Sequence, residues 1–168
     1  GNTIVCFGST QNYSVTLDPA VNSYSWSLPG AGWLGTSTTN IISLTTGSGG
    51  NLYVTSSNTC GASVTQSLNV LVLPLPTVSV NSGTICQGQS FTINPGGASS
   101  YTFSGGSSIV SPAITTSYSV SGTSSAGCVS SLAAVSVITV IPLPVISVNS
   151  GTICAGESFT ISPSGAST

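Results

Sequence analysis

The chain has no Lys, Arg or His, and only two acidic residues, Asp18 and Glu157, among its 168. Each absence excludes a class of chemistry. Phosphates are neutralised by Lys and Arg, so nucleic acid is excluded as a partner. Two carboxylates in different domains, with no His or Lys beside them, leave no paired acid and base. Serine is abundant but has nothing to activate it. Calcium takes several carboxylates per site. Zinc takes four ligands at workable spacing, and there is no CxxC and no His. The expectation is therefore a non-enzymatic chain with no catalytic, cofactor or metal residues. Asp18 stands before Pro19 in "LDPA" and reads as a turn former. Glu157 occupies the place of Gln89 one repeat earlier, so that position does not need a charge.

Long hydrophobic runs are lacking as well. The most apolar stretch, "LAAVSVITVIPLPVI" (Leu132–Ile146), is interrupted by Ser136, Thr139, Pro142 and Pro144. It is too short and too broken to span a bilayer, and no membrane insertion is expected. Gly1 opens directly into strand-like sequence without a basic and apolar leader pattern.

What is present is Ser, Thr and Gly alternating with apolar residues, at 39% hydrophobic overall. "YSVTL" (13–17), "SYSWSL" (23–28), "SFTIN" (90–94), "TSYSVSG" (116–122) and "AVSVITV" (134–140) alternate with period two. Each predicts a strand with apolar or aromatic residues on one face and Ser or Thr on the other. "GSGGN" and "NPGGASS" are turn chemistry. Many short strands between turns, and no amphipathic helical repeat, predict an all-β fold of tandem immunoglobulin-like antiparallel β-sandwiches.

The chain also repeats itself. "LPLPTVSVNSGTICQGQSFTINPGGASS" (73–100) returns 68 residues later as "IPLPVISVNSGTICAGESFTISPSGAST" (141–168), with 20 of 28 positions identical. The period defines residues 1–73 as a first domain, 74–141 as a second, and 142–168 as the incomplete start of a third. The expectation is a window from a longer tandem array. Proline fixes φ, so "LPLP" and "IPLP" predict semi-rigid links.

The repeat register also predicts a pairing for the cysteines. Cys86 and Cys154 occupy the same position in successive units, and "TIVCFG" places Cys6 similarly. Cys60 and Cys128 each follow a late strand. Closing each domain on itself would give Cys6–Cys60 and Cys86–Cys128 disulfides, with Cys154 unpaired by truncation. Disulfides imply an oxidising compartment. Trp26 and Phe103 are expected core aromatics, one per sandwich. Trp33, in the Gly-rich "GAGWLG", has two readings: a cap on the sandwich, or an aromatic surface for a ligand.

"SYSWSLPGAGWLGTSTTNIISL" followed by "YVTSSNTCG" resembles the PKD-like domain of large secreted proteins of Bacteroidota. "VNSGTICQGQSFTINPGGASSYTFSGGSSIVSPAITTSYSVSGTSSAGCVS" resembles the Ig-like repeat that accompanies it. The resemblance implies an extracellular or cell-surface location, export by the type 9 secretion system, and kinship with the gliding-motility adhesins. The function expected is a structural stalk segment of a filament or adhesin. The alternative is a polysaccharide-binding module or an accessory domain of a secreted hydrolase. The expected partners are neighbouring repeats of the same chain, other cell-surface or secretion-system proteins, glycans, or like filaments. Without Lys to guard sheet edges against pairing, covered edges are expected in the native setting.

Overall fold

A computed structural model describes residues 1–165; the last three residues of the 142–168 segment lie outside the described residues. The described chain is all-β and divides into two compact units. The first comprises Gly1–Val78 with Gly97–Tyr101 and Ser121–Ala133; the second comprises Ser79–Gly96, Thr102–Val120 and the chain from Ala134 onward. Three segments of the 74–141 repeat, 74–78, 97–101 and 121–133, thus cluster with the first unit.

Seven strands lie in residues 1–73: β1 (Ile4–Cys6), β2 (Thr10–Ser14), β3 (Ser23–Ser27), β4 (Ile41–Thr45), β5 (Gly50–Asn58), β6 (Gly61–Ala62) and β7 (Gln66–Leu73). The main sheet runs β1-β7-β5-β3, with β6 folded onto β5, and β2 pairs with β4 in a second sheet. Most pairings are antiparallel, but β1 is parallel to β7, with Cys6 opposite Leu73. The inward residues of both sheets meet in one core of Val5, Tyr13, Trp33, Ile42, Leu44, Leu52 and Val70. In β4 the alternation is direct: Ile42 and Leu44 are buried, while Ile41 and Ser43 are exposed. Full burial of such a side chain stabilises by roughly 1.5–3 kcal/mol. The strand expected at 13–17 is displaced toward the N-terminus, because the turn at Asp18 begins where it would end. Leu17 is 67% exposed.

The second repeat supplies β8 (Gly83–Cys86), β9 (Phe91–Thr92), β10 (Ser100–Phe103), β11 (Ile109–Val110), β12 (Thr116–Thr123) and β13 (Ala134–Ile141). Its main sheet runs β10-β12-β13-β8, and β9 pairs with β11. β8 is parallel to β13, with Cys86 opposite Ile141, just as β1 is parallel to β7. Ile93, Val110, Val120 and Ile138 are buried. The expected alternation is reversed in part of β13. Val135 and Val137 face outward and Ser136 is buried. The burial of Ser136 is satisfied by its hydroxyl, which donates to the Asn81 carbonyl at 2.7 Å. A buried hydroxyl without such a partner would be costly. The strand expected over 90–94 is reduced to the two residues of β9.

Beyond Ile141, β14 (Ser147–Val148) pairs with β15 (Pro163–Ser164). The 68-residue register persists in detail. Asn81 donates to the Thr92 carbonyl at 3.1 Å and accepts from the Asn94 amide at 2.6 Å. Asn149 does the same with Thr160 and Ser162, at 2.9 and 2.6 Å.

Tyr13 gives a handle on the first core. It is 2% exposed, its hydroxyl donates to the Asn2 carbonyl at 3.0 Å, and burial raises its pKa above the ordinary 10.0. Because the unfolded chain ionises this phenol first, the neutral form's contribution is intact below pH 10 and is lost as pH rises through the folded value. With free thiols blocked, urea midpoints should therefore fall above about pH 10. Tyr13→Phe should cost about 1 kcal/mol at neutral pH. It should also flatten that alkaline fall, and an unchanged fall would contradict the assignment to Tyr13.

Candidate functional site

The chemistry-bearing side chains of this molecule are its cysteines, and their positions follow from two local motifs. The first is a turn of the form Cys-x-Gly-x. The fourth residue's amide donates back to the cysteine carbonyl: Ser9 to Cys6 at 3.2 Å, Gln89 to Cys86 at 3.0 Å, Glu157 to Cys154 at 3.1 Å. The glycine at the third position has positive φ in all three copies, +74° at Gly8, +87° at Gly88 and +94° at Gly156. A turn of this geometry calls for glycine there. Around Cys6 the turn is held further by Thr46, itself buried, whose hydroxyl donates to the Cys6 carbonyl at 2.7 Å. The second motif is the connection between the central strand and the last strand of each repeat. Cys60 lies between β5 and β7, its amide bonded to the Asn58 side chain at 2.9 Å. Cys128 lies between β12 and β13, its amide bonded to the Ser124 hydroxyl at 3.1 Å.

The bond that forms is Cys6–Cys128, with Cα atoms 5.5 Å apart and a sequence separation of 122. Both residues belong to the first compact unit. Cys60, Cys86 and Cys154 are free and exposed. This overturns the expected Cys6–Cys60 and Cys86–Cys128 pairs, and the parallel first strand is the reason. Cys6 lies opposite Leu73, where the chain leaves β7. The β5–β7 register pairs Gly50 with Val70 and Val54 with Gln66, so Leu73 lies three residues beyond the Gly50 end of β5, whereas Asn58 is eight residues along it in the other direction. Cys60 lies past Asn58, some eleven residues further along, a separation of roughly 35 Å at about 3.3 Å per residue. A disulfide spans only about 4.4–6.8 Å between Cα atoms. The second repeat has the same plan: β8 brings Cys86 to the Ile141 end of β13, while β12 meets β13 through Val120 and Ala134 at its other end. Cys154 is free, and so are Cys60 and Cys86.

Trp33 is 5% exposed and part of the first core, and its indole N–H donates to the Ser48 carbonyl. It caps the sandwich and has no face to offer a ligand. Trp26 is half-buried against the same core, with its indole bonded to the Thr39 carbonyl at 2.9 Å. Phe103 is half-buried in β10.

An open polar cleft of about 310 Å³ lies beside the Cys60 connection, lined by Asp18, Ser56, Asn58, Cys60 and Ser63 among others. Sequence reasoning missed this cleft, because Asp18 and Ser63 are brought together only by the fold. Most of its polar groups are already used. Asp18 accepts from the Ala20 amide at 2.9 Å, making the expected turn, and Asn58 donates to the Ala20 carbonyl at 3.1 Å. Ser63 bonds the Ser56 amide at 3.1 Å and the Val64 carbonyl at 2.9 Å. Among the described residues no three His, Cys, Asp or Glu side chains are grouped to hold a metal.

Residues 1–70 match the family described as PKD-like domain. No curated protein matches the chain. Solved structures with a similar course include Drosophila N-cadherin EC1-4, at 10% identity and TM-score 0.34, over 83% of this chain and 47% of that one. Another is SGBP-B of the Bacteroides ovatus mixed-linkage glucan utilization locus, solved with a mixed-linkage heptasaccharide. It has 16% identity and TM-score 0.24, over 87% of this chain and 44% of that one. A third is Dscam1 isoform 4.4, N-terminal four Ig domains, at 8% identity and TM-score 0.29, over 83% and 42%. The chain spans less than half the length of each. At these scores the likenesses carry no argument about function. The fold is an all-β, largely antiparallel, Ig-like sandwich topology with one structural disulfide.

Closing a loop of 122 residues constrains the unfolded chain by roughly 5 kcal/mol on the chain-entropy account. Cys128→Ser should therefore lower the urea unfolding free energy of the oxidised protein by about 2–5 kcal/mol. In excess reductant, wild type and variant should unfold together. Cys60→Ser should change little in either condition, and a loss at Cys60 equal to that at Cys128 would contradict the assigned bond.

Proposed function

We propose that the chain is a stalk segment of a large extracellular or cell-surface protein, built to span distance and bear load. The observation that carries this reading is the disulfide between Cys6 of the first repeat and Cys128 of the second. A pull applied to the two ends of the chain passes through this bond, and the residues between are shielded from it. The Pro-Leu-Pro links and the shortage of ionisable side chains support the same reading. A disulfide accords with an oxidising, extracellular location. The resemblance to PKD-like and Ig-like repeats of Bacteroidota surface proteins points to a gliding-motility adhesin or filament exported by type 9 secretion. Neighbouring repeats are then the first partners, with other surface or secretion-system proteins, glycans or like filaments beyond them.

One observation favours a second reading, polysaccharide recognition: the open cleft beside Cys60, with Asp18, Ser56 and Asn58 on its walls. Against recognition stands the cleft's lack of an exposed aromatic platform and the internal engagement of its polar groups.

Single-molecule stretching of the chain by its termini separates intact from reduced protein. With the bond formed, the 122-residue span is withheld. Reductant should lengthen the final contour by roughly 400 Å, at about 3.3–3.6 Å per residue. Calorimetric titration with mixed-linkage glucan oligosaccharides should show no binding. Saturable binding abolished by Asp18→Ala would overturn the stalk reading in favour of recognition.

A further inference from the structure

We infer that Cys86 and Cys60 are the two halves of a staple that recurs from repeat to repeat. In it, the cysteine ending the first strand of one repeat bonds the late-connection cysteine of the next. The inference stands on the cysteines alone and does not depend on whether the segment bears load or binds glycan.

Three observations converge on it. First, Cys6, Cys86 and Cys154 occupy one structural position, each opening the same glycine turn, with the following amide bonded back to the cysteine carbonyl. Second, the surroundings that present Cys6 are rebuilt around Cys86. Cys6 lies opposite Leu73 and Cys86 opposite Ile141, both on parallel strands. The Phe7 amide donates to the Leu73 carbonyl at 2.9 Å, and the Gln87 amide to the Ile141 carbonyl at 2.9 Å. A Pro-Leu-Pro link follows each of those carbonyl residues. Third, the bond that does form joins a first-strand cysteine to the connection cysteine of the following repeat, and not to its own. Cys128, in that bond, is 1% exposed, whereas Cys60, in the same connection of the preceding repeat, is exposed and free.

The partner of Cys86 is thus the Cys128 equivalent of a following copy of the repeat, 110 residues on by the period (128 + 68 − 86). Cys60 is the receiving half for the first-strand cysteine of a repeat ahead of it. An in-repeat bond is excluded for the reason that excludes Cys6–Cys60: parallel pairing puts the two cysteines of one repeat at opposite ends of its sheet. The chemistry is ordinary thiol–disulfide exchange with a disulfide oxidant such as oxidised glutathione. One protein thiolate attacks the oxidant's S–S bond and releases one reduced thiol. The second protein thiolate then attacks the mixed disulfide and releases the other. Two electrons and two protons pass from the protein thiols to the oxidant.

The test keeps the full chain and adds after Thr168 a copy of residues 101–141, which completes the third repeat; the copy carries Ser125→Thr, so that its cysteine peptide differs in mass from that of Cys128. The extended chain is oxidised with glutathione and its remaining thiols are alkylated. It is then cut with chymotrypsin without reduction. The expected map links the Cys86 peptide to the added copy of Cys128, with alkylation lost at Cys86 and retained at Cys60 and Cys154. Alkylated Cys86, or a bond from the added cysteine to Cys154, overturns the inference. The same extended chain carrying Cys154→Ser removes the competing thiol. There the Cys86 link should persist, and an added cysteine that stays reduced overturns the inference equally.

Discussion

The Cys6–Cys128 bond is the constraint on which the rest depends. The sandwiches are small, and domains of this size bury too little apolar surface to be more than marginally stable. Ion pairs cannot make up the difference in a chain with no Lys, Arg or His. A covalent link across 122 residues can. Its position follows from the parallel first strand, which brings Cys6 to the place where the chain leaves β7. An antiparallel strand there would have reversed which end of the sheet the cysteine occupies. The glycine turn and the Thr46 hydroxyl hold the Cys6 backbone in place, so the bond rests on a hydrogen-bonded turn.

Where charge is absent, neutral side chains take over its usual tasks. Among the described residues Thr46 and Ser136 are the buried polar ones, and each hydroxyl donates to a backbone carbonyl. Among the described residues no buried side-chain polar atom is left without a partner. Asn81 and Asn149 close equivalent loops in successive repeats. Sheet edges, usually defended by Lys, are limited here by length. β1 has three residues and β8 four. Short edge strands are one of the natural protections against edge pairing. The outer faces are less guarded, with Ile4, Leu71 and Val135 each more than half exposed.

The strand content was legible from alternation, and β3, β12 and β13 lie where the sequence predicts them. The repeat was legible too, down to the glycine turns. Two things were not. Periodicity identifies which cysteines are equivalent, but a pairing within each repeat and a pairing from one repeat to the next obey the same period. Only the parallel register of β1 on β7 separates them, and no local signal announces a parallel edge strand. The inversion of β13 was hidden for a related reason. A serine between valines reads as the wet face until its partner, the Asn81 carbonyl 55 residues away, is known. The polar cleft beside Cys60 likewise joins residues from separate turns. For Trp33 both readings were open in the sequence, and the fold buries it in the first core.

The most direct test of the account is a non-reducing peptide map of the native chain itself. Trypsin finds no site, but chymotryptic cleavage at the aromatic residues and Leu places all five cysteines on separate peptides: Phe7 follows Cys6, Tyr53 and Leu68 flank Cys60, Phe91 follows Cys86, Tyr118 and Leu132 flank Cys128, and Phe159 follows Cys154. The account predicts one disulfide-linked pair, the Cys6 peptide with the Cys128 peptide. A Cys6 peptide joined to the Cys60 peptide would contradict it.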